Sequence, residues 1–585
     1  MKRFYSDEKN IQILIALLKA HNIKYVVASP GNTNLTLVAS LQQDPFFTIY
    51  SCVDERSAAY IACGIAAANN EPVVISCTGA TASRNYMSAL TEAYYRKLPI
   101  ITITSSRQSM EIGHLVAQVT DRTQLPNDIS KKSVQLPVVK DNDTKWECEI
   151  KINDALLESR RHGGGPVHIN IPTIYCPTYN TETLPDVKVI QRYLLTDKFP
   201  ELSGKIAIWC GSHKYWTKQE TETVDKFCSL YDAIVLCDHT SNYKGSYGVQ
   251  FSLIGGQEQY AMTLSLDVLI HIGEISGDYF TSLGKLVPKE VWRVNEDGEI
   301  RDFFKRLTAV FETTEINFFN QYISLSPQKT PTTNFLDSTS SLYNAIYKEL
   351  EEQESQFPLS NIWVAYKLAP QIPQNSDIHF GILGSLRAWN FFQIDKSITA
   401  NSNVGGFGID GCVSSLIGAS LIHPQKLHFG IFGDLAFFYD LNSIGNHHIT
   451  NNLRIIVINN GIGAEFKLYC YPGSKLGDDV NNYIAAEGHY GKKSKTLLKH
   501  YAEDLGFEYL SASTKEEFYN AINIFINPKI TNKPILFEIF TTSENDSQAL
   551  QLIRNLTKNT KGIFRNFIKQ HINDDLKTKI LQFTK

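Results

Sequence analysis

No run of some 18 apolar residues, the length that spans a bilayer as a helix, occurs in the chain. The N-terminus (MKRFYSDEKNIQIL) lacks the apolar core of a secretory signal. Ten cysteines are present, but none forms a CxxC pair. Several, such as Cys52, Cys77 and Cys237, stand in apolar surroundings. That spacing argues against a zinc ribbon or a disulfide framework, and reduced thiols in a cytoplasmic protein are expected. Charge of one sign is also missing: 56 Lys and Arg face 60 Asp and Glu, so no global basic surface points to nucleic acid. Neither a membrane nor a nucleic acid is an expected partner.

What is present is α/β alternation. Ile11–Ala20 reads as a helix, Tyr25–Ala28 as a strand, and 56–68 as an Ala-rich helix. Val73–Cys77 is a strand, 82–96 a helix and Ile100–Thr104 a strand, the rhythm of a parallel sheet covered on both faces. A polar, Pro-containing stretch at 177–194 reads as a linker. A second block follows with the short strands KIAIWCG, AIVLCD, DVLIHIG and VWRVNED. Its IGGQEQ run at 254–259 is not a GxGxxG turn after a strand, so a flavin is not expected. The stretch SLSPQKTPTTNFLDSTS at 324–340 reads as a second linker. The third block carries the strands IHFGIL, KLHFGIF, LRIIVIN and PILFEIF. From Leu552 on, a tail holds eight Lys/Arg against two Asp/Glu, with Ile563, Phe564, Phe567 and Ile568 at helical spacing.

The most informative stretch is GDLAFFYDLNSIGNHHITNNLRIIVINN, from Gly433 to Asn460. One strand ends at Gly433-Asp434 and the next at Asn459-Asn460. A carboxylate and an amide at neighbouring strand ends suit a Mg²⁺ that also holds a phosphate. Alone, Asp434 would be a helix cap and Asn460 a turn residue. Together they resemble the metal-diphosphate motif of thiamine diphosphate enzymes, with Leu435 in place of its usual second glycine.

Further strings carry the resemblance. In CVDERSAAYIACGIA, Asp54-Glu55-Arg56 opens a helix after a strand. In this family a Glu here bonds N1′ of the aminopyrimidine, which calls for a desolvated carboxyl and assigns the catalytic role to Glu55. The turn Thr78-Gly79-Ala80-Thr81 resembles the family's TSGTA turn, where Gly79 and Thr81 would meet the cofactor. Gln118 resembles a Gln near the aminopyrimidine, and His114, four residues earlier, is a candidate for proton transfer. The loop ANSNVGGFGIDG, at 400–411, would place Gly408 against the cofactor and Ile409 under it. Ser385 would meet the diphosphate alongside Gly433 and Leu435. Asp434, Asn460 and the Ile462 carbonyl would hold the Mg²⁺.

The branch it resembles is the menaquinone-pathway SEPHCHC synthase family, which joins 2-oxoglutarate to isochorismate. VVASPGNTNLTLVASL, VDER, EAYY, GIDG and GDLAFFYDLNSI carry that likeness over the first and third blocks. Three arginines of the family's motifs are replaced, falling at Asn32–Asn34, Trp389-Asn390 and Ser402-Asn403. Polyanionic substrates need guanidinium partners. The expected substrate lining is therefore Asn32, Asn34, Arg387, Trp389 and Asn403, together with His114.

The expected architecture is α/β, with three doubly wound parallel-sheet domains: aminopyrimidine-binding at 1–180, central at 195–325 and diphosphate-binding at 341–545, then a basic helical tail at 546–585. The expected activity is thiamine diphosphate- and Mg²⁺-dependent decarboxylation of a 2-oxo acid, with transfer of the acyl anion to a weakly anionic or sugar-like acceptor. The alternatives are SEPHCHC synthase itself, a simple 2-oxo acid decarboxylase, and a non-catalytic protein of this fold. The resemblance also implies a homodimer or homotetramer with its active site at the subunit interface.

Overall fold

The structure, a computed structural model, describes residues 4–258, 264–283, 285–326 and 330–559. The tail residues from 560 on, Ile563, Phe564, Phe567 and Ile568 included, lie outside the described residues. No described helix is long and apolar enough to cross a membrane. The chain forms two compact units, Met1–Asp197 with Gly298–Glu312, and Lys198–Asp297 with Thr313–Lys585.

In the first unit, buried β-branched runs form a six-stranded sheet. Its strands are β1 (Tyr25–Ala28), β2 (Thr48–Ser51), β3 (Val73–Thr78), β4 (Ile100–Ser106), β5 (Lys132–Gln135) and β6 (Val167–Pro172). Their order is β2-β1-β3-β4-β6-β5, and all ladders are parallel. Strands β3, β4 and β6 are buried along their whole length, as strands covered on both faces must be. Ile11, Leu14 and Leu18 of helix Lys9–Ala20 pack one face with Cys148, Ile152 and Leu156 of helix Asn142–Glu158. Ala58, Ala62 and Ala66 of helix Glu55–Asn69 cover the other, with Leu90 and Ala93 of helix Met87–Tyr95. The single helix expected over 82–96 is two, Thr81–Asn85 and Met87–Tyr95, divided at the fully buried Tyr86. β7 (Gln191–Leu194) is a strand within the stretch expected as the first linker.

The second unit holds β8 (Ile206–Cys210), β9 (Ile234–Cys237), β10 (Gly248–Gln250), β11 (Leu264–Ile272) and β12 (Leu286–Asn295), in the order β10-β9-β8-β11-β12. β13 (Leu307–Glu312) belongs to the first unit and pairs with β7. The last sheet is built from β14 (Asp377–Phe380), β15 (Thr399–Ser402), β16 (His428–Gly433), β17 (Leu453–Asn459), β18 (Glu508–Ala512) and β19 (Ile535–Phe540). Its order is β15-β14-β16-β17-β19-β18, again all parallel. Part of the second expected linker is instead helix Asn334–Glu352. Phe335, Thr339, Leu342, Tyr343, Ile346 and Leu350 recur on one buried face, and that periodicity overrides the Ser/Thr content.

The first and last sheets share one topology. In each, the chain runs from its first strand to one side and then crosses to the other. This creates a crevice at the carboxyl ends of β1 and β3, and of β14 and β16, the places where open α/β sheets bind ligands.

Candidate active site

In the second unit, β16 delivers Asp434 to the crevice beside β14. Gly433 is the cap residue of helix Asp434–Tyr439, so Asp434 is the first helical residue and its carboxylate is not spent on capping. It accepts instead from the Gly461 N–H, 3.1 Å away and just past β17. Alternation along β17 sends Asn459 to Glu538 at 2.6 Å, while Asn460 takes the crevice side. The Asn460 amide donates to Asp546 at 3.1 Å, and its oxygen accepts from the Ile462 N–H at 3.2 Å. Asp546, on helix Ser543–Ile553, is a site residue that no motif marks in the sequence. Its only signal is a carboxylate at an otherwise buried helical position.

Asp434, Asn460, Ile462, Ser385, Ile409, Gly433 and Leu435 line one cavity of about 200 Å³ with Asp546 and Arg387. Burial pushes the Asp434 carboxyl up to about 7 and that of Asp546 up to about 6, and each charge opposes the other. Two buried carboxylates without a cationic side chain between them suit a divalent cation. The orphaned, buried Asn361 Oδ1 on the same wall adds an oxygen donor. An Asp, an Asn and backbone oxygens are the hard donors that Mg²⁺ takes. Leu383, also on the wall, has φ +63° and ψ −124°, a conformation normally left to glycine. It turns the chain sharply between β14 and Ser385.

The other expected residues of this unit divide. Arg387 lies in the cavity but is paired with Glu465 and stacked 4.2 Å from the Tyr279 ring. Trp389 is corrected: it is fully buried against Phe380 and absent from the cavity wall, because helix Gly384–Trp389 turns it into the core. Asn403 is half-buried and engaged within its own loop. It bonds the Gly411 carbonyl at 3.3 Å and Ser415 at 3.1 Å, anchoring the glycine loop that holds Gly408 and Ile409.

In the first unit, the Asp54 carboxylate caps helix Glu55–Asn69 by accepting from the Ser57 N–H at 3.2 Å. Glu55 is thereby free to accept from the Asn85 amide at 3.1 Å. Glu55 is half-buried within its own unit, short of the desolvation expected for it. Gly79 lies where a β-carbon would strike the Arg122 guanidinium and the Ser105 carbonyl. Arg122 is 3% exposed, bonds the Gly79 carbonyl and donates to Asn170 at 2.7 Å, with no acidic partner in contact among the described residues. Burial draws it down to about 10. Thr81, Asn32, His114 and Gln118 are exposed, Gln118 with a left-handed backbone at φ +65°. Asn34 is corrected: it is 1% exposed and donates to the Ser29 carbonyl at 3.0 Å, so it braces the β1 turn.

The profile of the thiamine pyrophosphate enzyme N-terminal TPP binding domain matches residues 9–126. A 2-succinyl-5-enolpyruvyl-6-hydroxy-3-cyclohexene-1-carboxylate synthase of Bacteroides thetaiotaomicron is 32% identical over 94% of this chain and 98% of its own length. Its namesake in Phocaeicola vulgatus is 31% identical over 94% of this chain and 98% of its own, and that of Flavobacterium psychrophilum 27% identical over 93% and 98%. The cofactor is thus thiamine diphosphate with a divalent metal, and the chain belongs to the 2-succinyl-5-enolpyruvyl-6-hydroxy-3-cyclohexene-1-carboxylate synthase family of thiamine diphosphate enzymes.

Proposed function

We propose that the chain decarboxylates 2-oxoglutarate and joins the remaining four-carbon unit to isochorismate, the synthase reaction of its relatives. The observation that supports this most is the convergence of Asp434, Asn460 and Ser385 on one cavity at the β14–β16 crevice. Asp434 and Asn460, with the Ile462 carbonyl, would hold Mg²⁺. Ser385, Gly433 and Leu435 would face the diphosphate, and Ile409 would give the cofactor an apolar bed. Bound there, thiamine diphosphate supplies the electron sink that makes loss of CO₂ feasible. Glu55 would hold a proton against the aminopyrimidine, with Asn85 keeping its carboxylate oriented. A second copy of the chain, making at least a homodimer, would complete the site and bury Glu55.

Arg84, Arg107 and Arg122, which follow strands β3 and β4 of the first unit, would supply the cationic side chains that anionic substrates need in place of the motif arginine that falls at Asn32–Asn34. A less anionic acceptor is the second reading. It is favoured by Arg387, whose charge Glu465 already answers inside the cavity.

The test is to supply 2-oxoglutarate with and without isochorismate, in the presence of thiamine diphosphate and Mg²⁺. Equimolar CO₂ and ligated product support the first reading. CO₂ release with ligation only to a neutral acceptor supports the second. Aldehyde alone would make the chain a simple decarboxylase.

A further inference from the structure

Asn460 can serve a cation only through its oxygen, yet its amide has two nearly isosteric ends. Asp546 settles which end faces which way. An ionised carboxylate accepts hydrogen bonds and cannot donate them, so only the NH₂ group can face it. It does so at 3.1 Å, which leaves the Asn460 oxygen on the opposite side, toward Ile462. Asp546 is itself held from three directions. The Asn361 N–H donates to Oδ1 at 2.8 Å, the Thr541 hydroxyl to Oδ2 at 3.4 Å, and helix Ser543–Ile553 fixes its backbone. It is 8% exposed, and among the described residues no Lys, Arg or His pairs with it. A buried carboxylate with only neutral protein partners, on the wall that also carries Asp434, has its natural counter-charge in the cavity.

We propose that Asp546 is a positioning residue for the divalent metal: it sets the Asn460 amide oxygen-inward and adds a second negative charge just outside the ligand sphere. This rests on Asn460 being a metal ligand. Outer partners that orient a metal ligand typically change metal affinity about 10–100-fold when removed.

The test is Mn²⁺ titration of the full-length protein with thiamine diphosphate and no substrate, followed by electron paramagnetic resonance. Asp546→Asn keeps the volume but loses the charge. It is expected to weaken Mn²⁺ about 10–100-fold while the metal-free protein keeps its circular dichroism spectrum. Combined with Asn460→Ala, it should add little to the loss that Asn460→Ala causes alone. A purely structural role would lower the melting temperature and leave Mn²⁺ affinity untouched, and that result overturns the inference. If Asp546→Asn does not fold, Asp546→Glu keeps the charge but shifts the oxygen from the amide. Wild-type Mn²⁺ affinity in that variant also overturns it. Failure of the wild-type protein itself to bind Mn²⁺ would strike the underlying reading of Asp434 and Asn460, and this inference with it.

Discussion

Arg122 is buried and Arg387 half-buried, and each meets the cost of desolvating a charge differently. Arg122 has no acid in contact among the described residues and bonds neutral oxygens of Gly79, Thr120 and Asn170. Replacing it with Met removes one donor from each, although Ser83 still donates to the Gly79 carbonyl and Thr104 to Asn170, so the loss is about 0.5–1.5 kcal/mol per bond. Arg122→Met should therefore lower the urea midpoint and raise the KM for thiamine diphosphate, because the Gly79 turn loses its brace. Arg387 is answered by Glu465 instead. Breaking such a pair from one side costs about 3–5 kcal/mol, whereas replacing both members by apolar residues costs far less. Arg387→Met and Glu465→Met should thus each destabilise more than the double variant, as measured by urea unfolding. Neither partnership was legible in the sequence. Arg387 is expected in the lining because it lies close to the replaced motif arginine at Trp389-Asn390, but nothing local announces that Glu465, 78 residues on, neutralises it. Trp389 and Asn34 were misjudged for a related reason: proximity to a motif does not say which way a helix turn points a side chain.

At the level of elements, the buried strands were the easiest to read. IAIWC, LRIIVIN and ILFEIF are predominantly apolar because both faces are covered, with Arg454, Asn459 and Glu538 the polar exceptions. Edge strands β5, β15 and β18 (KSVQ, TANS and EYLSA) are short and half-exposed, so they carry little periodic signal. Helix Tyr279–Ser282 offers a pH test. Its cap Asp278 is buried beside Asp238, and burial raises it to about 6. In the unfolded chain an aspartate loses its proton near pH 3.9. Between those values the unfolded state releases a proton that the folded state keeps, so stability falls as pH rises and levels off above about 6. Asp278→Asn should remove its share of that slope, leaving the share that the raised carboxyls of Asp434 and Asp546 contribute. Melting temperatures across this range would show a flatter profile for the variant, with its advantage over wild type growing toward neutral pH.

For the whole molecule, the three parallel sheets were legible because buried strands alternate with helices along the chain, whereas the two expected linkers hold β7 and part of helix Asn334–Glu352. The shared topology of the first and last sheets was not, since strand order depends on crossovers that leave no local mark. Assembly is the remaining property at this scale. Val53 is 79% exposed, Met110 69% and Leu115 fully so, and all lie close in the chain to Glu55, His114 or Gln118. Such apolar exposure is what the proposed subunit interface would cover. Sedimentation velocity should give at least a dimer at micromolar concentration, and a fully active monomer would contradict this.

The proposed function has Glu55 of one copy and Asp434 of another serve a single thiamine diphosphate reaction. The most direct measurement is CO₂ release from 2-oxoglutarate, paired with calorimetric binding of Mg²⁺ and thiamine diphosphate, for wild type, Glu55→Gln and Asp434→Asn. Wild type should bind and turn over. Glu55→Gln should bind the cofactor yet release no CO₂, and Asp434→Asn should lose binding itself. Near-wild-type CO₂ release by Glu55→Gln would contradict the claim.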